Sequence, residues 1–340
     1  MNFPQIKNRT PFAVTPVYLA DETGTPLLII LTRASFTFDG TGRFFLAEEQ
    51  LGVHPAGLFN GEAGLSSYKF EPDVAFSKPA TDIVLIGSAC AVRPGTSQVD
   101  VSLKVGSIEK TVRVFGNRYW VKSSVGVRLS DPEPFERIPL LYDLAFGGWD
   151  RRHPDPAQHS FEPRNPLGRG YCAKGNGITD DVPLPNLEDP GQLIGDRYDC
   201  PPPAGFGFTS PDWVPRAQLA GTYDAAWAKE RAPLLPRDFD RRFFNAASPG
   251  LVAPGYLRGD EAVLVRGVTP SGEVRFSLPD VGAIEYRLQL RGKAPPTLLG
   301  TLDTVVIDTD TSQVHLTWRA SAAVPRGPQD VLELDVAVAS

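Results

Sequence analysis

Gln98-Val99-Asp100-Val101-Ser102-Leu103-Lys104-Val105 alternates apolar and polar residues with the two-residue period of a half-buried strand. Gly106-Ser107 follows and suits a two-residue type II′ turn. The returning run Ile108-Glu109-Lys110-Thr111-Val112-Arg113-Val114 then has a definite register. Val105 faces Ile108, Val101 faces Val112 and Val99 faces Val114. On the other face Lys104 meets Glu109, Ser102 meets Thr111 and Asp100 meets Arg113. Two opposite-charge pairs in one register add roughly 0.2–1 kcal/mol each. Lys110 lands opposite Leu103 and is expected to run its stem along the surface. Gly116-Asn117 offers a second turn, predicting a three-stranded meander in which Val112 meets Val121, Val114 meets Tyr119 and Arg113 lies beside Trp120.

The same reasoning extends outward. Strands are predicted near 12–20, 26–38 and 82–93, then near 261–268, 273–278, 284–291, 298–307, 313–319 and 331–338. Thr269-Pro270-Ser271-Gly272 reads as a type I turn, and Asp308 to Ser312 as the turn of a hairpin. Ala47 to Ala80 reads as a loop-rich excursion. The 32 Gly and 33 Pro among 340 residues punctuate the chain too often for long helices. One short helix is expected, from about Asp224 to Arg231, acidic at its start and basic at its end. The fold class is therefore mainly β: antiparallel, sandwich-like sheets around a long, ordered, loop-rich middle, with at most a few short helices. The division runs 1–142, 143–254 and 255–340, which together can form one compact unit.

Composition narrows function. Hydrophobic residues are 41% and charged residues 22%, with a net charge of −6. That supports a buried core and offers no basic stripe for nucleic acid. Leu27 to Leu31 is the longest aliphatic run, far short of a membrane span. Cys90, Cys172 and Cys200 are odd in number and far apart, so no disulfide framework or zinc pair is expected, and a cytoplasmic setting follows. No basic cluster adjoins them in sequence to activate a thiolate.

Chemistry-bearing patterns are sparse. Asp150, His153, Asp155 and His159 have metal-ligand side chains, but their spacing fits no zinc signature and reads as a polar loop. Asp303, Asp308 and Asp310 lack the glycine and glutamate of a calcium loop and read as turn aspartates. No metal and no cofactor is expected, and no enzymatic role. The middle region is rich in aromatics beside glycine and arginine, the residue types that anchor protein interfaces. Trp149, Arg169, Tyr171, Trp213 and Arg258 are the candidate partner-binding residues.

Several strings carry a family resemblance. Leu141-Tyr142-Asp143-Leu144-Ala145-Phe146-Gly147-Gly148-Trp149-Asp150, Asn165-Pro166-Leu167-Gly168-Arg169-Gly170 and Leu184-Pro185-Asn186-Leu187-Glu188 resemble signatures of the bacterial family called domain of unknown function 2169. So do Lys78-Pro79-Ala80-Thr81-Asp82, Gly116-Asn117-Arg118-Tyr119-Trp120, Arg242-Phe243-Phe244-Asn245-Ala246-Ala247 and Leu257-Arg258-Gly259-Asp260-Glu261. The resemblance covers nearly the whole chain. It implies an adaptor or chaperone that binds a type VI secretion effector and helps it join the VgrG–PAAR spike. It implies no catalytic residues. The residues alone leave two alternatives: a hydrolase acting on carbohydrate or envelope polymer, and a carbohydrate-binding β-sandwich.

Overall fold

The computed structural model describes residues 5–124, 126–174, 182–270, 272–292 and 296–339. Three larger sheets dominate these residues. The first runs in the order Ala13–Ala20, Pro26–Phe38, Gln313–Ala323, Thr301–Asp308, Asp82–Ile86, with Phe44–Leu46 also on Pro26–Phe38. The second runs Leu187–Glu188, Ile108–Phe115, Gln98–Val105, Ala262–Arg266, Glu273–Ser277. The third runs Gln5–Asn8, Val331–Val338, Ile284–Leu290, Thr297–Leu299. Most pairs are antiparallel, so the predicted fold class holds.

The hairpin register is as the alternation dictates. Val105 lies opposite Ile108, Lys104 opposite Glu109, Val101 opposite Val112 and Asp100 opposite Arg113. Gly106 has the positive φ of 57° that its turn demands. Lys104 and Glu109 approach to 3.2 Å, Arg113 and Asp100 to 2.7 Å.

The third strand of the meander is a correction. Tyr119–Ser123 pairs with Gly126–Leu129 and Val182–Pro183, and Leu187–Glu188 takes the free edge of Ile108–Phe115. Gly116 does not have the positive φ of a type II′ turn. A Cβ there would lie 1.7 Å from Glu133 O, so the backbones touch and the chain leaves the sheet. Arg118 then turns inward, stacks at 3.7 Å over Phe115 and pairs with buried Glu188. That ion pair brings in Leu187–Glu188 from some 70 residues away.

The strands Ala13–Ala20, Pro26–Phe38, Ala262–Arg266, Glu273–Ser277, Ile284–Leu290, Gln313–Ala323 and Val331–Val338 lie where the alternation places them. The segments predicted at 82–93 and 298–307 are each broken into two. The turn at 269–272 closes with Gly272 N–H donating to Thr269 O at 3.0 Å; Ser271 lies outside the described residues. Three strand pairs among the described residues are parallel: Gln5–Asn8 with Val331–Val338, Asp82–Ile86 with Thr301–Asp308, and the short Phe146–Gly147 with Arg169–Gly170. The helix is Ala225–Glu230, with the Asp224 side chain accepting from Trp227 N. No helix of the described residues is long and apolar enough to cross a membrane.

The main core draws on the whole chain: Leu28, Ile30, Val84 and Leu85 from the first sheet, Val101, Leu103, Val112 and Val263 from the second, Tyr286 and Leu334 from the third, Tyr142 at the boundary of the middle region, and Phe206, Trp213 and Ala246 within it. Pro26–Phe38 is buried on both faces. Leu28, Ile30 and Ala34 enter the main core, while Ile29 and Leu31 pack with Phe76, Leu235, Phe239 and Phe244. The second face of that sheet is thus covered jointly by the excursion between 47 and 80, through Val53 and Phe76, and by the middle region, through Leu235, Phe239 and Phe244.

Candidate partner-binding groove

Beyond Leu31 the covered face of the first sheet changes from apolar to ionic. Arg33, Asp303, His315, Thr317 and Arg319 are buried there. Arg33 Nη2 lies 2.6 Å from Asp73 and its Nη1 donates to Gly52 O at 2.7 Å. Arg319 pairs with Asp303 and donates to Ala75 O at 2.6 Å. Each arginine therefore ties the strand beneath to the excursion above. Asp303 is a correction: it is a buried ion-pair partner, whereas Asp308 does cap a turn by accepting from Asp310 N and Thr311 N.

Lys78 continues the layer. Its ammonium lies 2.8 Å from Asp82 and 3.1 Å from Glu71. Burial opposes the Lys78 charge, but Asp82 and Glu71 outweigh it and raise its pKa. Glu71 is raised by burial and only partly held down by Lys78 and Arg216. Asp82 also accepts from Asn245 Nδ2 and Ala246 N, both at 3.0 Å. Arg216 binds the other oxygen of Glu71 at 2.7 Å and donates to Thr209 O and Phe243 O. Breaking such a pair by removing one partner typically costs about 3–5 kcal/mol, because the other charge stays buried. The layer therefore holds the excursion in one position.

The excursion so held forms one wall of a groove of about 610 Å³. Phe59, Leu65, Ser67 and Tyr68 line this wall, and Phe59 stacks on Tyr68 at 4.3 Å. Trp149, Leu167, Gly168 and Trp213 line the facing side. Leu65 is 69% exposed and Trp149 46%, unusual for large apolar side chains beside a cleft. Trp149 stacks on Phe161 at 4.5 Å and carries the Arg151 guanidinium at 4.9 Å. A second depression of about 310 Å³ shares Phe59, Ser67 and Tyr68, so the cleft continues past that pair. Asp143 accepts from Ser67 Oγ at 2.5 Å and so ties this wall to the segment that precedes Trp149.

Glycines beneath Trp149 are required by close backbone approach. A Cβ at Gly148 would lie 2.3 Å from Gly168 O, and one at Gly147 2.1 Å from Asn165 O. Asn165, fully buried, donates from Nδ2 to Tyr142 O and Phe146 O. The glycine-rich strings therefore seat Trp149 on a rigid base.

Of the five candidate residues, the groove brings together Trp149 and Trp213. Trp213 is 3% exposed and meets Tyr142 edge-on at 5.4 Å, so it is mostly core. Arg169 is half-buried with its Nε 3.4 Å from Asp143 O, and burial lowers its pKa. Tyr171 packs on a small cluster around Trp120 and Phe146. Arg258 stands apart, exposed and 3.2 Å from Asp260. Sequence reading misses Phe59, Leu65 and Tyr68, which sit in the loop-rich excursion; the apolar Leu58-Phe59 pair and the alternating Tyr68-Lys69-Phe70 string are the available signal.

The metal-type side chains do not converge. Asp150 holds Arg152 at 2.6 Å, His153 Nδ1 faces Asp155 N, and His159 Nε2 lies 3.0 Å from His153 O. Among the described residues no three His, Cys, Asp or Glu side chains gather around a common point. The cysteines are free, and here too the fold adds what spacing hid: Arg152 Nη2 lies 2.9 Å from buried Cys172 Sγ.

A family model described as an uncharacterized protein conserved in bacteria (DUF2169) matches residues 23–319. No curated protein and no solved structure matches the chain.

Proposed function

The chain belongs to the bacterial DUF2169 family, and from that premise we propose that it is an adaptor or chaperone without catalysis of its own. In this reading it binds a type VI secretion effector in the cytoplasm and helps load it onto the VgrG–PAAR spike. The observation that carries the reading is the groove between Leu65 and Trp149, with large apolar side chains held exposed on a rigid frame. Exposed aromatics on a rigid base are efficient anchors, since little side-chain freedom is lost when a partner covers them.

The alternatives receive less from the geometry. A glycosidase needs two facing carboxylates; Asp212 is the one carboxylate among the described residues lining the groove, and in the adjoining depression Asp308 caps a turn while Asp310 is held by Arg137 and Ser88. A carbohydrate platform could use the Trp149–Phe161 stack, and that reading separates from the adaptor by experiment. Affinity purification of the chain from its native host should recover an effector or a spike protein. Trp149→Ala should lose that partner while remaining folded. Recovery of no protein partner, together with retention on an oligosaccharide column through Trp149, would replace the adaptor with the carbohydrate reading.

A further inference from the structure

Lys110 does not run along the surface as its strand position suggests. Its Nζ turns inward and donates to Ser248 Oγ at 2.6 Å and to Pro249 O at 2.8 Å. Both acceptors are neutral. Lys7, Lys78 and Lys104 each have a carboxylate within 3.2 Å, whereas Lys110 feels Asp189 only at longer range.

Ser248 cannot neutralise the charge either. A serine hydroxyl has one proton to give and two lone pairs to receive. Ser248 gives its proton to Gly205 O at 2.7 Å and receives from Lys110 and from Tyr142 OH at 2.7 Å. Two of the three ammonium protons of Lys110 are thus placed, and one remains for the space beside it. That space is a pocket of about 200 Å³ lined by Lys110, Arg164, Asp189, Pro202, Pro203 and Pro215, with the Asp189 carboxylate out of ion-pair contact with Lys110. Arg164 is already matched by Glu162 at 2.7 Å, and Asp189 accepts from Gly191 N at 2.8 Å and opposes an incoming anion from across the pocket, so Lys110 is the cation of this lining with no carboxylate in contact.

We propose that this pocket binds a small carboxylate with an apolar body, the carboxylate pairing with Lys110 and the body lying against the prolines. The ligand is either a free organic acid or the terminal carboxylate of a polypeptide, which share that chemistry. A half-buried cation with only neutral partners gains more from an incoming anion than a cation already paired.

Proton linkage gives the site a signature. Burial pushes Lys110 down to about 8, with Asp189 opposing. Tyr142 is pushed up to about 12 by burial and stays neutral across this range. A bound carboxylate favours the ammonium and raises the Lys110 pKa. Binding therefore takes up a proton above pH 8, and affinity falls by up to about tenfold per pH unit there.

Calorimetric titration of the full chain with benzoate, benzyl alcohol, inorganic phosphate, and one peptide made with a free or an amidated C-terminus tests the site at pH 7 and pH 9. Benzoate should bind at least tenfold more tightly than benzyl alcohol or phosphate at pH 7, and several-fold more weakly at pH 9. Lys110→Met should lose this binding and melt no lower than the parent, having shed an uncompensated charge. Lys110→Arg should keep binding and lose the difference between pH 7 and pH 9. Tighter binding of the free-acid peptide than of benzoate would assign the ligand to a chain end; the reverse order would assign it to a free acid. Equal binding of benzoate and benzyl alcohol, phosphate binding as tightly as benzoate, or undiminished benzoate binding by Lys110→Met, would overturn the proposal, as would no heat from any carboxylate.

Discussion

Arg216 Nη2 lies 2.7 Å from Glu71 Oε2, and both side chains are buried. Glu71 directly follows the strand Tyr68–Phe70 on one wall of the groove, and Arg216 lies three residues beyond Trp213 on the other. One ion pair thus fastens the two walls together, with Lys78 holding the second oxygen of Glu71.

Arg216→Met should cost about 3–5 kcal/mol of stability, since Glu71 would remain buried with one partner fewer. Glu71→Gln should cost a comparable amount, because Arg216 then stays buried with only the carbonyls of Thr209 and Phe243 beside it. Urea unfolding of both variants measures this. Equal stability of Arg216→Met and the parent would remove the clasp from the account.

His315 gives the fold an acid sensitivity. It is buried, with its Nδ1 2.9 Å from Ser35 Oγ, and burial together with Arg33 pushes its pKa down to about 4. The unfolded chain takes up this proton near pH 6.5, whereas the folded chain resists until about pH 4. The unfolded state binds more protons between these values, so stability falls as pH drops through that window, by on the order of 3 kcal/mol in full. His315→Gln should flatten this part of the profile relative to the parent. Identical slopes between pH 6.5 and pH 4 in both proteins would contradict the burial of a neutral imidazole.

Two glycines should respond differently to one methyl group. Gly106→Ala meets open space apart from the Glu261 side chain at 3.4 Å and bears only the strain of positive φ, about 1 kcal/mol. Gly116→Ala drives its Cβ into Glu133 O and should destabilise by more than that. Thermal melts of the pair check the order, and a reversed order would argue for the turn that the meander required.

Local alternation was legible. The Lys104–Glu109 and Asp100–Arg113 pairs could be read because both members sit within fourteen residues of each other and share one turn. The edge partner Leu187–Glu188 and the parallel partner of Asp82–Ile86 could not, since a pairing across 70 or more than 200 residues leaves no periodicity in either strand. The ionic layer was hidden for a different reason. Arg33 and Arg319 occupy the side of their strands where a charge ordinarily marks solvent, and only the excursion folding over them turns that side into interior. The aromatic promise of Trp149 was visible in its string, but the wall that faces it was not, because Leu65 and Tyr68 acquire their position through Glu71. Several strings that resembled the family prove to be fasteners: Asp82, paired with Lys78, accepts from Asn245 and Ala246, and Arg118 meets Glu188.

The two tryptophans of the groove separate docking from packing. Trp213→Ala should cost about 3–5 kcal/mol in stability, as a buried aromatic truncation does. Trp149→Ala should alter stability by less than about 1 kcal/mol and weaken partner binding by about 2 kcal/mol. Chemical denaturation and a quantitative pull-down read the two effects apart. Similar stability losses at both positions would show that Trp149 is also a packing residue.

The most direct measurement is photocrosslinking in the native host, with a photoreactive phenylalanine analogue at Leu65 on the rim of the groove. The same analogue at Arg287, exposed on the third sheet, serves as the control. The account predicts a crosslink from position 65 to a secreted effector or a spike protein, absent from position 287 and reduced when Trp149 is replaced by alanine. Crosslinks to such a partner from position 287 alone, with secretion by Trp149→Ala equal to the parent, would contradict it.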